Sequence, residues 1–242
     1  MRGYPTRMKA LYERVALTVC AIALSTIAAS SLAARAGAAA RNDRFDEVTV
    51  RRLRVVDASG ATRLLLTGKP IPEGTINGKQ IPRIGGPRDN AGMIFYNDNG
   101  DEQGGLAYSG AKGEQGGTLT FDAWQQDQAL ELQHGSGPTG SDSYIAGNEL
   151  PKESLYDIAS AFMREAAAAR SDDERTALRR RYRREGKFGY QRWQIGNRAG
   201  ISELRLNDAT GHPRLRLSVT ADGSARVEFL DTAGTVVKSI TP

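Results

Sequence analysis

The sequence predicts a mainly β protein. It reads as an antiparallel meander of hairpins, built as a sandwich or a partly closed barrel. A helical hairpin is inserted in it, and a transmembrane or signal helix precedes it. Three observations predict this. Short runs that alternate apolar and polar residues recur on both sides of positions 151–187. Tetrads with Asp or Asn three residues before Gly separate many of them. Positions 15–34, VALTVCAIALSTIAASSLAA, contain no charge.

The N-terminus is organised for export. Arg2, Arg7, Lys9 and Arg14 precede the uncharged run, and Arg35, Arg41 and Arg44 follow it. A membrane span needs about 20 apolar residues, whereas a cleaved signal core has about 7–15. The length favours an anchor. The many Ala, Ser and Thr, and ARA at 34–36 before Gly37, favour a cleaved signal peptide. Both readings place the N-terminus in the cytoplasm and the remainder outside it. The expected location is the bacterial inner membrane with a periplasmic C-terminal domain, or the periplasm or exterior if the signal is cleaved. The only cysteine, Cys20, lies in the apolar run, so the folded part carries no disulfide.

Beyond the signal or anchor (1–36) and a tether at 37–44, a first β segment spans 45–150. Val48 and Val50 alternate in one phase, Leu53 and Val55 in the other, which places a bulge or kink at Arg51-Arg52. RLLLT, GMIFY, GLAYS, GTLTF and QALELQ follow as strands. Positions 68–90 read as a long loop and 135–150 as a Gly/Ser-rich connection.

Positions 151–187 break the pattern. Leu155, Ile158, Ala159, Phe162, Met163 and Ala166 share one helical face, and Pro151 suits the first turn. SDDE at 171–174 is a capping box opening a second helix that runs to Glu185 and stops at Gly186. Tyr182 and Leu178 give that helix a thin apolar stripe for docking on the β part. Strands resume over 188–242 and pack with the first β segment. Leu204 and Leu206, Leu215 and Leu217, and Val227 and Phe229 alternate with polar residues. Such strands bury one face.

DASG (57–60), NDNG (97–100), DATG (208–211) and DTAG (231–234) share one grammar, and TADG (220–223) has Gly at the same place. Asp or Asn opens a type I turn by accepting backbone N–H bonds, and Gly closes a bulged hairpin loop in the left-handed conformation. Arg63 and Arg214 each stand three residues beyond their Gly.

Several chemistries are excluded. No P-loop, dinucleotide fingerprint or G-x-S-x-G elbow occurs. Two histidines, His134 and His212, cannot form a zinc cluster with absent cysteines. A triad of His134 with Ser136 or Ser141 exists on paper only. The densest acidic stretch, FYNDNGDEQGGL, holds Asp98, Asp101 and Glu102, with Asp122 and Asp127 further on. Asp98, Glu102, Asp122 and Asp127 are the candidates for catalytic carboxylates, and Asp98, Asp101 and Glu102 for calcium ligands. No EF-hand frame supports them, and a solvated acidic turn is the plainer reading. Gly104-Gly105 marks a close backbone approach or a bulge. Trp124, Trp193 and the tyrosines fit either a sugar-binding groove or strand packing.

Residues 175–187 carry seven basic side chains and one acid, a net +6, against +5 for the whole chain. Arg179, Arg180, Arg181, Arg183 and Arg184 therefore form the candidate anionic-binding surface. Export turns this helix away from nucleic acid and towards anionic lipid headgroups or an acidic protein partner. Bases at a helix C-terminus also complement the macrodipole without any ligand.

The stretch 95–128 resembles a family of bacterial exported or membrane-anchored β-rich proteins. Phe95, Tyr96, Asn97, Asp98, Gly100, Glu102, Gly104, Gly105, Leu106, Phe121, Asp122, Asp127 and Gln128 fit its pattern. Asn99 departs from it where a carboxylate would stand. The resemblance implies the architecture, with the helical hairpin as an insertion, and no activity. The expected function is a non-enzymatic cell-envelope module, membrane-bound through its N-terminal helix, with no cofactor. It would bind a partner, itself as a homo-oligomer, or a surface polymer. The alternative is a secreted hydrolase or calcium-dependent carbohydrate binder using the acids at 98–127.

Overall fold

The computed structural model describes residues 44–84 and 88–242. The anchor or signal segment and nearly all of the tether lie outside these. Among the described residues no helix is long and apolar enough to cross a membrane. Residues 1–49 and 50–242 are separate units. Positions 44–49 carry no regular secondary structure.

Residues 50–242 form a mainly β unit. In chain order the elements are β1 (Arg52–Val56), β2 (Thr62–Thr67), β3 (Thr75–Ile76), β4 (Lys79–Gln80), β5 (Ala91–Tyr96), β6 (Glu102–Ala111) and β7 (Glu114–Asp122). Then come β8 (Gln128–Gly137), β9 (Gly140–Glu149), α1 (Leu155–Ala168), α2 (Asp172–Arg184) and β10 (Tyr190–Arg198). The chain ends with β11 (Ile201–Asn207), β12 (Pro213–Val219), β13 (Ala225–Leu230) and β14 (Val236–Ile240). Twelve strands make one antiparallel sheet in chain order, with β3–β4 as a separate small hairpin. The sheet is open, with β1 and β14 at its edges.

The mainly β meander with two helices is as expected, but its strands form one large hydrogen-bonded sheet rather than two packed sheets, and that sheet does not close on itself. Here each connection returns to the neighbouring strand, including the two long ones, β2 to β5 and β9 to β10. Two further differences follow from pairing. Positions 135–150 are not a connection, because β8 extends to Gly137 and β9 fills 140–149. Ser, Asp and Gly are poor strand formers, but the ladder on both sides overrides that preference. The chain bends at Arg51 just before β1 starts at Arg52, which is the expected kink, and the bulge-like register shift lies further on, between Val55 and Val56.

The five turns form as read. Gly60, Gly100, Gly211, Gly223 and Gly234 have φ between +81° and +86°. In the first, Asp57 Oδ1 accepts from Ser59 N (2.8 Å) and Ala61 N (3.1 Å). In the third, Asp208 Oδ1 accepts from Thr210 N (2.9 Å) and His212 N (3.1 Å). The arginines tie neighbouring turns together. Arg63 Nε donates to Asp57 Oδ2 (2.8 Å), and its Nη1 donates to Asn97 O (2.6 Å). Arg214 lies 3.3 Å from Asp208 and donates to Leu230 O.

Both helices are capped. α1 starts after Ser154, whose hydroxyl accepts from Tyr156 N, so Pro151 precedes the helix and does not open it. In α2, Ser171 Oγ accepts from Glu174 N, and Glu174 reaches back to Arg170 N. Gly186 (φ +68°) and Lys187 donate to Arg183 O and Tyr182 O, which closes a Schellman motif. The apolar stripe of α2 packs on α1 rather than on strands. Tyr182 meets Phe162 edge-on at 5.2 Å and Phe188 at 5.6 Å, and Ile158, Leu178 and Ile84 complete the cluster.

Strand register sorts side chains onto two faces. One cross-strand row runs Leu53, Leu66, Met93, Leu106, Leu119, Leu132 and continues Ile145, Ile195, Leu204, Leu217, Val227, Ile240. It takes one residue from each of the twelve strands, and all are apolar. A parallel row on the same face runs from Val55 through Leu64, Phe95, Phe121, Leu130 and Trp193 to Phe229, with glycines at 104 and 147. The opposite face carries Leu65, Ile94 and Ala146 among Arg205, Arg216 and Glu228.

Candidate functional site

The acidic candidates separate into different environments. The Asp98 side chain is 99% exposed and lies 3.1 Å from Arg63. Asp101 is buried, and its Oδ1 accepts from Asn77 N of the β3–β4 turn at 2.6 Å. Glu102 is held by both guanidinium nitrogens of Arg88, at 2.6 and 2.9 Å, and Arg88 also donates to Pro72 O. That pair fastens the segment preceding β5 to the start of β6. Glu102, Asp122, Asp127 and Arg88 sense one another electrostatically. Burial first, then the Asp127 and Glu102 carboxylates, push the Asp122 carboxyl up to about 8, against the pull of Arg88. Burial also raises Asp127, while the Gln128 amide opposes the shift. A cleft of about 290 Å³ beside them is lined by Glu73, Ile81, Ile84, Arg88, Asp127 and Leu155. Three of the four catalytic candidates are thus neighbours, and Asp98 is not among them. Among the described residues, no group of three or more His, Cys, Asp or Glu could hold a metal ion.

The remaining polar candidates are dispersed. His134 Nδ1 lies 2.8 Å from Ser143 Oγ, its cross-strand partner, while Ser136 and Ser141 pair with each other in register. His212 sits exposed in its turn, 2.8 Å from Thr210 Oγ1. Trp124 is exposed in the β7–β8 turn, and Trp193 lies on the sheet over Gly147.

The basic helix divides in two. Arg179 donates to Ile84 O and stacks 5.6 Å from the Phe162 ring. Arg181 pairs with Glu165, which also accepts from the Tyr182 hydroxyl at 2.7 Å. These two hold the helical hairpin together. Arg180, Arg183 and Arg184 are exposed and form no ion pair among the described residues.

The largest feature was hidden from the motifs. Among the described residues nine apolar side chains are buried: Leu65, Ile71, Ile76, Ile94, Ala146, Ile158, Ala159, Phe162 and Tyr182. None belongs to either apolar row. In those rows Leu132 is 47% exposed, Ile195 49% and Ile240 50%. The surface is continuous because the glycines are roofed by neighbours. The Phe95 and Phe121 rings stack 6.3 Å apart across Gly104. A Cβ built on Gly147 would lie 2.3 Å from Trp193 Nε1. Gly104 and Gly105 do mark a close approach: a Cβ on either would lie 2.3 Å from a backbone oxygen of the next strand. Towards the C-terminal edge the face dips into a shallow apolar depression of about 720 Å³, lined by Ile195, Leu204, Leu217, Val219, Val227 and Ile240. Monomeric soluble proteins rarely expose a contiguous apolar surface of this extent.

Compared with known proteins, the chain matches no family model, no curated protein and no solved structure. The likeness read from 95–128 rests on those residues.

Proposed function

We propose that the chain is a non-enzymatic cell-envelope module that acts by binding through the apolar face of its sheet. The N-terminal segment carries it to the inner membrane and presents residues 50–242 in the periplasm. The observation behind this reading is the unbroken row from Leu53 to Ile240, apolar in every strand, with seven of its twelve members exposed and the other five half-buried. Exposed apolar area in water is a standing free-energy cost of about 25 cal/mol per Å². A partner that covers it removes that cost, and the surplus over the entropy of association is the binding free energy. Arg180, Arg183 and Arg184 give the module a second, weaker contact with anionic headgroups or an acidic protein.

Photo-crosslinking in cells tests the reading. A photoreactive residue replacing Leu132 or Leu217 yields adducts, and one replacing Arg205 on the opposite face yields few. Adducts from Arg205 alone, or from none of the three, overturn the proposal. Protease protection of the C-terminus in spheroplasts would overturn the location.

One observation favours a second reading. Asp122 and Asp127 are both raised by burial and by the nearby Glu102 carboxylate, and Asp127 lines a cleft together with Arg88. A hydrolase built on Glu102, Asp122 and Asp127 would use the protonated Asp122 as general acid. Turnover of a glycan by the chain that disappears in Asp122→Asn would establish it. Equal products from both chains would dismiss it, and an unshifted melt at millimolar calcium would dismiss the calcium-dependent version.

A further inference from the structure

We propose that the molecule covering the apolar face is a second copy of this chain, its sheet stacked face to face on the first. The inference rests on the reading of that face as the docking surface and names its occupant. Four observations support it.

The first is the missing layer. Antiparallel sheets with one apolar face normally bury it against another layer. Among the described residues all twelve strands lie in the one sheet, and no second sheet stands over this face. The helical hairpin keeps its buried side chains for a separate cluster, Ile158, Phe162 and Tyr182. An identical sheet is the layer of matching length.

The second is area. Eleven inter-strand spacings of about 4.8 Å, by two same-face rows along the strands, give a face on the order of 50 by 15 Å. That is about 800 Å² per copy, the share each partner contributes to a stable interface of standard size.

The third is chemistry. The two rows offer aliphatic and aromatic side chains, and their only ionic group is Lys238 opposite Phe229 at the β14 edge. A surface polymer rich in hydroxyls or charges would find almost no hydrogen-bonding partner there. A copy of the same face buries apolar groups on apolar groups and brings no opposed charges together, despite the net +5 of the chain.

The fourth concerns the alternative route, edge pairing. Both edge strands have five residues, and β1 carries Arg52 and Arg54. Short, charged edges resist pairing. The face therefore outcompetes the edge. The expected product is a closed two-fold dimer, a sandwich made of two chains about 10 Å apart.

The test is the mass of the full chain in mild detergent by light scattering with detergent subtraction, over a hundredfold concentration range. Two copies are expected for the wild type, and half that mass for Ile195→Asp/Leu217→Asp with its circular dichroism unchanged. In a Cys20→Ser background, Leu204→Cys should crosslink between copies with a short bis-maleimide, and Arg205→Cys should not. This second readout uses a conservative variant and stands if the double Asp chain fails to fold. A wild type that stays monomeric, a dimer that survives in a folded double Asp variant, or crosslinking equal from both cysteines overturns the proposal. So does a monomer whose face carries co-purified acyl lipid or a different protein. Those last outcomes leave the docking surface itself standing, whereas absence of adducts in cells defeats both.

Discussion

At the scale of single residues, the turns make the cleanest test of the account. A Cβ on Gly60 meets nothing within 4 Å, so Gly60→Ala changes only the backbone conformation at φ +86°. The expected loss is about 1–2 kcal/mol in urea unfolding, and no loss would contradict the left-handed assignment. The tetrads were readable in the sequence because their chemistry is local: one side-chain oxygen and one glycine set the turn. The role of Arg63 was not, since its carbonyl partner lies at Asn97 on another turn. Asp122 predicts a pH dependence. Its folded pKa is about 8 against an ordinary 3.8, so between those values the folded chain holds a proton that the unfolded chain has lost. Stability therefore falls as pH rises from about 4 to about 8. Asp122→Asn should flatten part of that slope, leaving the contribution of Asp127, which has the same sign. Denaturation midpoints at pH 5, 6.5 and 8 decide the matter, and a slope equal in both chains would refute the assignment. Among the arginines, changing Arg180, Arg183 and Arg184 to Gln should move stability by no more than about 0.5 kcal/mol. Changing Arg179 and Arg181 should lower the melting temperature, because both hold α2 to its surroundings.

At the scale of elements, two fastenings carry the unit. Phe162 sits between Tyr182 and Phe188, so Phe162→Ala should cost about 3–5 kcal/mol and expose the α1–α2 hairpin to proteolysis. Arg88 and Glu102 clamp the segment before β5 to the sheet, with side chains 31% and 10% exposed. Removing one partner leaves a poorly solvated charge, and Glu102→Gln should cost about 3 kcal/mol. A Glu102→Leu/Arg88→Met pair should recover much of it. A double variant as unstable as Glu102→Gln would contradict the stranded Arg88 charge as the source of the loss. Helix limits were legible within a few residues because caps are local signals; Ser171, Glu174 and Gly186 each took the expected place. β9 was not legible. Gly140, Ser141, Asp142 and Ser143 read as a linker, and only pairing with β8 and β10 makes them a strand. The candidate site was legible in part. Glu102, Asp122 and Asp127 were singled out by type, but Arg88 lies in a Gly/Pro-rich stretch with no pattern of its own.

At the scale of the whole unit, the alternation within each strand was visible, whereas its sum was not. Twelve strands in phase, joined in order, leave one face apolar from Leu53 to Ile240. A reader of the sequence expects such strands to find a second sheet within the chain. Among the described residues all twelve strands stay in one open sheet, and the proposed second copy supplies the layer that sheet lacks. Folding and association are then linked, so the thermal midpoint should rise with protein concentration. A midpoint constant over a hundredfold dilution would count against a self-covered face. The most direct test uses the tryptophans, of which the chain has two. In a Trp124→Phe chain, Trp193 alone reports from the apolar face. The account predicts blue-shifted emission that resists acrylamide when the chain is concentrated and turns red and quenchable on dilution or in Ile195→Asp/Leu217→Asp. Red, fully quenchable emission at every concentration would mean that the face stays in water, which contradicts the central claim.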